Sequence, residues 1–122
     1  MISIIRVLEP RRVEPETVLY RIVEEVQELY FIIDGSIDIG FEISRETRYV
    51  VRLTKGGVIG IYNITFDRKT SFNYKVKHTF NGFCIRRNNW RKIIYNEQFE
   101  QINSYIRQMI EQEYIYTIKN RV

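Results

Sequence analysis

Residues 29–43 read LYFIIDGSIDIGFEI, and the reading of that stretch decides the fold. Leu29-Tyr30-Phe31-Ile32-Ile33 is the longest uninterrupted apolar run in the chain. It ends at Asp34-Gly35, a dipeptide that marks tight hairpin turns because both residues tolerate positive φ. Beyond it Ile37, Ile39, Phe41 and Ile43 alternate with Ser36, Asp38, Gly40 and Glu42, the period of a strand with one buried face. Two strands joined by an Asp-Gly turn are expected here.

The same logic extends outward. Tyr49 to Leu53 is another strand, and Thr54-Lys55-Gly56-Gly57 is the turn out of it. Phe72, Tyr74 and Val76 alternate with Asn73, Lys75 and Lys77, and Asn81-Gly82 is a further turn signal before strand-like Phe83 to Ile85. The period then changes. Asn88 or Asn89 is the expected N-cap of a short helix through Trp90 to Ile94. From about Gln98, Phe99, Ile102, Ile106, Met109 and Ile110 follow helical spacing. Tyr114-Ile115-Tyr116-Thr117-Ile118 returns to β-favouring residues, so this helix is expected to end near Glu113. Strands first and helices last describe an α+β chain, mainly β.

Composition bounds the function. With 122 residues and 44% hydrophobic residues, the chain is expected to form one domain with its own core. The opening MISIIRVLEP lacks the basic start and small-residue cleavage site of a signal peptide. No apolar run approaches the ~20 residues of a membrane span. The single cysteine, Cys84, excludes an internal disulfide and suits a reducing compartment. The net charge of +4 is unevenly spread: residues 68, 69, 75, 77, 86, 87, 91 and 92 are basic, with no acid between Arg68 and Lys92. Such a block attracts phosphates, acidic protein faces or anionic headgroups.

Together these residues resemble the cyclic nucleotide-binding domain family, an eight-stranded antiparallel β-roll or jelly roll followed by C-terminal helices. VEPETVLYRIVEEVQELYFIIDGSIDIG is similar to the family's opening strands, and GGVIG, residues 56–60, to the entry of its phosphate-binding cassette. FCIRRNNWRKII, residues 83–94, resembles the last strand and following helix. The resemblance implies a roll over about 13–87, helices over about 88–113 and a tail over 114–122. In family members that bind nucleotide, a glutamate after the glycine matching Gly60 holds the ribose, an arginine pairs with the phosphate, and a small residue follows. Laid on this sequence, the glutamate position is Ile61, with Tyr62 behind it. The arginine position is Thr70, followed by Ser71 and by Phe72 where a small residue belongs.

Losing a charge-assisted bond to phosphate costs roughly 1.5–3 kcal/mol, and a ribose hydroxyl without its acceptor about 1–3 kcal/mol more. The sum is a hundred- to ten-thousand-fold in affinity, on the order of micromolar becoming millimolar. The resemblance therefore implies a degenerate pocket, with no cofactor and weak or absent cAMP or cGMP binding. An alternative is a working cAMP or cGMP sensor that uses Lys69 or Arg68 for the phosphate. Another is a basic docking module for anionic lipid or an acidic partner. In nucleotide-free relatives from potassium channels, a segment after the last helix fills the pocket, which marks Tyr114 or Tyr116 as a built-in ligand below Gly60 and Ser71. The reading is a cytosolic regulatory domain at the cytoplasmic face of a cation or potassium channel. Its partners would be other subunits, and it would meet the membrane only through its parent.

The remaining candidates point to structure. His78 and Cys84 are the only histidine and cysteine, too few for an ordinary zinc site or a nucleophile with its base. Cys84 is expected in the core, Trp90 as the anchor of its helix, and Glu24-Glu25 on a loop surface. No enzyme is indicated. Specific nucleic-acid binding is not expected, since no helix-turn-helix follows the long helix.

Overall fold

In a computed structural model describing residues 4–122, helix α1 (Ile4–Val7) leads into strands β1 (Glu9–Val13), β2 (Val18–Tyr20), β3 (Glu28–Ile43), β4 (Glu46–Leu53) and β5 (Val58–Ile59). Helix α2 (Ile61–Thr65), strand β6 (Asn73–Arg86) and helices α3 (Arg87–Ile94) and α4 (Glu100–Tyr114) follow, with a 3-10 turn (Glu97–Phe99) before α4 and a π-helical turn (Ile115–Lys119) after it.

All six strands join one antiparallel sheet in which β3 and β6 form a long central ribbon. Along one half of the ribbon, β1 flanks β6 and β5 flanks β3; along the other half, β2 flanks β6 and β4 flanks β3. Folding the ribbon across its middle gives two four-stranded arms, and counting each arm of β3 and β6 separately recovers an eight-stranded roll.

The fold line corrects two expectations. Asp34-Gly35 and Asn81-Gly82 are not hairpin turns but interior positions of β3 and β6, and Asp34 pairs with Asn81 across the ribbon. The register slips on both sides of Asp34 and again after Ser36. Gly35 sits at φ 94, and a Cβ there would collide with the Thr79 carbonyl. The turn-forming residues thus produce a bulge that bends the ribbon. A two-residue turn would have paired residues 29–33 with 36–40; the 14-residue β6 pairs with both stretches instead.

The tight turn that does close a hairpin, between β3 and β4, uses Ser44 and Arg45 at φ 51 and 69. A turn with two positive φ values normally asks for Asn or Gly, so composition leaves it unmarked. Towards this tip the expected alternation fades: Ile37 and Ile39 are buried, Phe41 is half-buried and Ile43 is exposed.

The core fills the folded ribbon with Leu29, Ile32, Ile37, Ile39, Val76 and Phe80, while Ile110, Tyr114 and Ile118 close it from the C-terminal side. Trp90 is buried and donates from Nε1 to Thr65 Oγ1 at 2.9 Å, tying α3 to α2. Cys84 is buried as expected, with the Arg11 guanidinium 2.9 Å from its sulfur. His78 lies on the surface, its Nδ1 2.6 Å from the Ser36 hydroxyl at the bend. Glu24 and Glu25 are exposed.

Both helix boundaries differ from expectation. The strand runs straight into α3, whose N-cap is the extended residue Arg86, so Asn88 and Asn89 lie inside the helix. At the other end α4 does not stop at Glu113; a π-helical turn, Ile115–Lys119, continues it. The β-favouring tail is helical because Tyr114 and Ile118, four residues apart, face the roll together.

Candidate functional site

The site grows from β5 and α2. Gly60 caps α2 at φ 82, a left-handed conformation that suits glycine, and packs so closely on Tyr20 that a Cβ would strike the phenol oxygen. That phenol donates to the Glu28 carbonyl, so the start of α2 is pinned to the start of β3. The far end of α2 is held by α3: Arg91 donates to the Ile64 carbonyl at 2.6 Å, and the Tyr95 hydroxyl to that of Thr65.

Beyond α2 the chain reaches Thr70, where the resemblance asks for an arginine. Thr70 is only 2% exposed. Its hydroxyl donates to the Arg21 carbonyl and accepts from the Glu24 amide at 3.2 Å. Its backbone pairs with the same loop, the Thr70 amide donating to the Glu24 carbonyl at 3.0 Å and the Val23 amide to the Thr70 carbonyl at 2.8 Å. Thr70 therefore clips the loop between β2 and β3. Arg68, Lys69 and Ser71 are exposed beside it, and Phe72 is half-buried.

Opposite α2 lies α4. Tyr114 is 8% exposed, and its ring stacks on that of Tyr62 with centroids 3.9 Å apart and planes 7° from parallel. Burial pushes the Tyr114 phenol up to about 12, with the neighbouring Tyr62 adding to the shift and the Ser71 side chain opposing it. Tyr116, the other candidate built-in ligand, is 73% exposed and takes no part, because the helical continuation turns it away from the roll. Tyr114 reaches the cassette from the helix itself, not from a segment folding back.

Between α4 and the wall formed by residues 53–62 is a cleft of about 420 Å³. Gly60, Ile61 and Tyr62 line it, whereas Arg68, Lys69, Thr70, Ser71 and Phe72 do not. The structure thus splits the expected site into a cleft wall and a separate clip. Sequence reasoning missed the opposite wall, Ile106, Met109, Ile110, Glu113 and Ile118. Its helical spacing was visible, but its partner was not. Among the described residues the only charged side chain lining the cleft is Glu113, so an anion entering it meets a carboxylate and no basic group of these residues.

No protein-family model matches the sequence, and no curated protein matches it at a significant level. Solved structures do match. The regulatory domain of Toxoplasma gondii PKA, crystallised with cAMP, superposes with a TM-score of 0.69 at 18% identity over 74% of this chain. That match covers 34% of the Toxoplasma chain, so this chain spans about a third of it. A Geobacter metallireducens protein assigned to cyclic nucleotide binding matches at TM-score 0.71 and 10% identity, over 95% of this chain and 80% of that one. The regulatory subunit of a cAMP-independent protein kinase A from Trypanosoma brucei matches at TM-score 0.60 and 18% identity, over 82% of this chain and 41% of that one. At these identities the likeness establishes the fold: a β-roll with C-terminal helices, as in cyclic nucleotide-binding domains.

Proposed function

We propose that this chain, having the fold of cyclic nucleotide-binding domains, is a non-catalytic regulatory module whose cassette holds cAMP and cGMP weakly or not at all. Thr70 carries the reading: at the arginine position stands a buried threonine whose hydroxyl is engaged by loop backbone. Ile61 at the glutamate position supports it, since a side chain without an acceptor lines the cleft where a ribose would need one. The Tyr62–Tyr114 stack then joins the cassette helix to the last helix without a ligand, the contact through which such a module would couple to its parent. A cation or potassium channel as parent, with its other subunits as partners, is proposed on family analogy alone. Among the described residues no helix is long and apolar enough to cross a membrane.

A sensor using Lys69 is not favoured, because a lysine lacks the bidentate fork of an arginine and Ile61 offers the ribose no acceptor. Nor is a basic docking face. Lys75 pairs with Glu16 at 3.1 Å, Arg86 with Glu9 at 2.9 Å, and Arg87 with Glu25 and Asp67, so part of the block is neutralised within the fold.

The test is an NMR titration of the 122-residue chain with cAMP and with cGMP. No saturable shift at Gly60, Ser71 or Lys69 is expected below about 1 mM. Saturation below about 100 µM overturns the proposal.

A further inference from the structure

We propose that the cleft between α4 and residues 53–62 binds a small, mainly apolar ligand carrying a cationic amine, the apolar body within the cleft and the amine at Glu113. The inference rests on the reading above that nucleotides are not held, because both ligands would use the Gly60–Tyr62 wall.

Size is the first observation. A volume of about 420 Å³ falls within the range of small-molecule sites, roughly 300–1,000 Å³. Lining chemistry is the second. Leu53, Val58, Ile61, Met109, Ile110 and Ile118 present aliphatic surface from both walls, and burying apolar ligand area against them is favourable in proportion to that area. Met109, half-exposed and unbranched, can adapt to an irregular shape. Gly56 and Gly57 keep part of the wall at backbone level, where a flat ring can lie close.

Charge is the third and selects among apolar ligands. Among the described residues Glu113 alone carries charge in the lining, and its carboxylate takes part in none of their ion pairs. Arg68 and Lys69, which an anionic ligand would need, lie outside the cleft. A neutral ligand leaves the carboxylate unused, an anion is repelled by it, and an ammonium group is attracted. Because Glu113 is exposed, that attraction is modest and adds selectivity to affinity supplied by the apolar walls.

The test is a set of NMR titrations on the 122-residue chain with two ring-matched probes of opposite charge, 1-naphthylmethylamine and 1-naphthylacetate, and with cAMP. The amine is expected to give saturable shifts at Ile61, Met109 and Ile110 and to bind about two- to fivefold tighter than the acid. Glu113→Gln, at an exposed position, should abolish that preference while leaving the fold unchanged. Absence of saturable shifts at those residues, equal binding of amine and acid, or an unchanged preference in Glu113→Gln overturns the proposal. Tight cAMP binding overturns the nucleotide-silent reading whatever the naphthyl probes do, so the two failures are distinguishable.

Discussion

At the scale of the residue, Thr70 holds two distant segments together. Its hydroxyl bridges a carbonyl and an amide of the loop that precedes β3, both far from it in sequence. Thr70→Val keeps the shape and removes the hydroxyl, leaving the Arg21 carbonyl and the Glu24 amide only their 3.1 Å bond to each other. The expected cost is about 0.5–1.5 kcal/mol, read as a lower urea midpoint, and Thr70→Ser should recover most of it. A Thr70→Val variant as stable as the parent would show that the clip contributes nothing. The missing arginine was legible in the sequence; the clip was not, because its partners, Arg21 and Glu24, lie 49 and 46 residues away. Cys84 follows the same pattern. Its burial was expected from its apolar neighbours, whereas Arg11 at its sulfur, 73 residues away, carries no local signal.

At the scale of the element, α4 and its continuation decide what closes the cleft. Tyr114 and Tyr116 are equally β-favouring and two residues apart, yet one is buried on Tyr62 and the other faces solvent. Tyr114→Ala removes a buried ring and its stacked partner contact, and should cost about 2–4 kcal/mol in chemical denaturation. Tyr114→Phe keeps the stack and should lie within about 1 kcal/mol of the parent, and Tyr116→Ala within about 0.5 kcal/mol. Equal costs for the two alanine variants would contradict the helical continuation. Local propensity misjudged this segment because helix and strand preferences differ by less than about 1 kcal/mol per residue. Burying Tyr114 and Ile118 on one helical face outweighs that difference.

At the scale of the whole molecule, the roll gathers tyrosines from distant strands into one interior. Tyr20 and Tyr74 meet edge-on with ring centroids 5.0 Å apart, and Tyr20 and Tyr30 lie 6.0 Å apart. Burial raises Tyr20 and Tyr74 well above 10, and pushes Tyr30 and Tyr114 up to about 12. Each phenol therefore holds its proton more tightly folded than unfolded. Between pH 10 and 12 the unfolded chain binds fewer protons than the folded one, so stability falls as pH rises. The stabilisation is complete below about pH 10 and is lost progressively above it, at roughly 1–3 kcal/mol for Tyr114 alone. Denaturation midpoints followed from pH 8 to 12 check this, and a flat profile above pH 10 would contradict the buried cluster.

The sequence by itself determined the class of this protein: strand periodicity first, then helical spacing, with glycines at 56, 57 and 60 between them. Those features are carried by neighbouring residues, where the period of burial is set by the geometry of a single strand or helix. Only the tertiary structure decided that two turn signals facing each other across the ribbon form one bend, and that Ser44-Arg45 makes the real turn. It also decided that the expected site residues separate into a clip and an apolar cleft closed by Tyr114. Each of these depends on which distant segment supplies the partner, and backbone pairing and side-chain burial are settled only when the whole ribbon closes on itself.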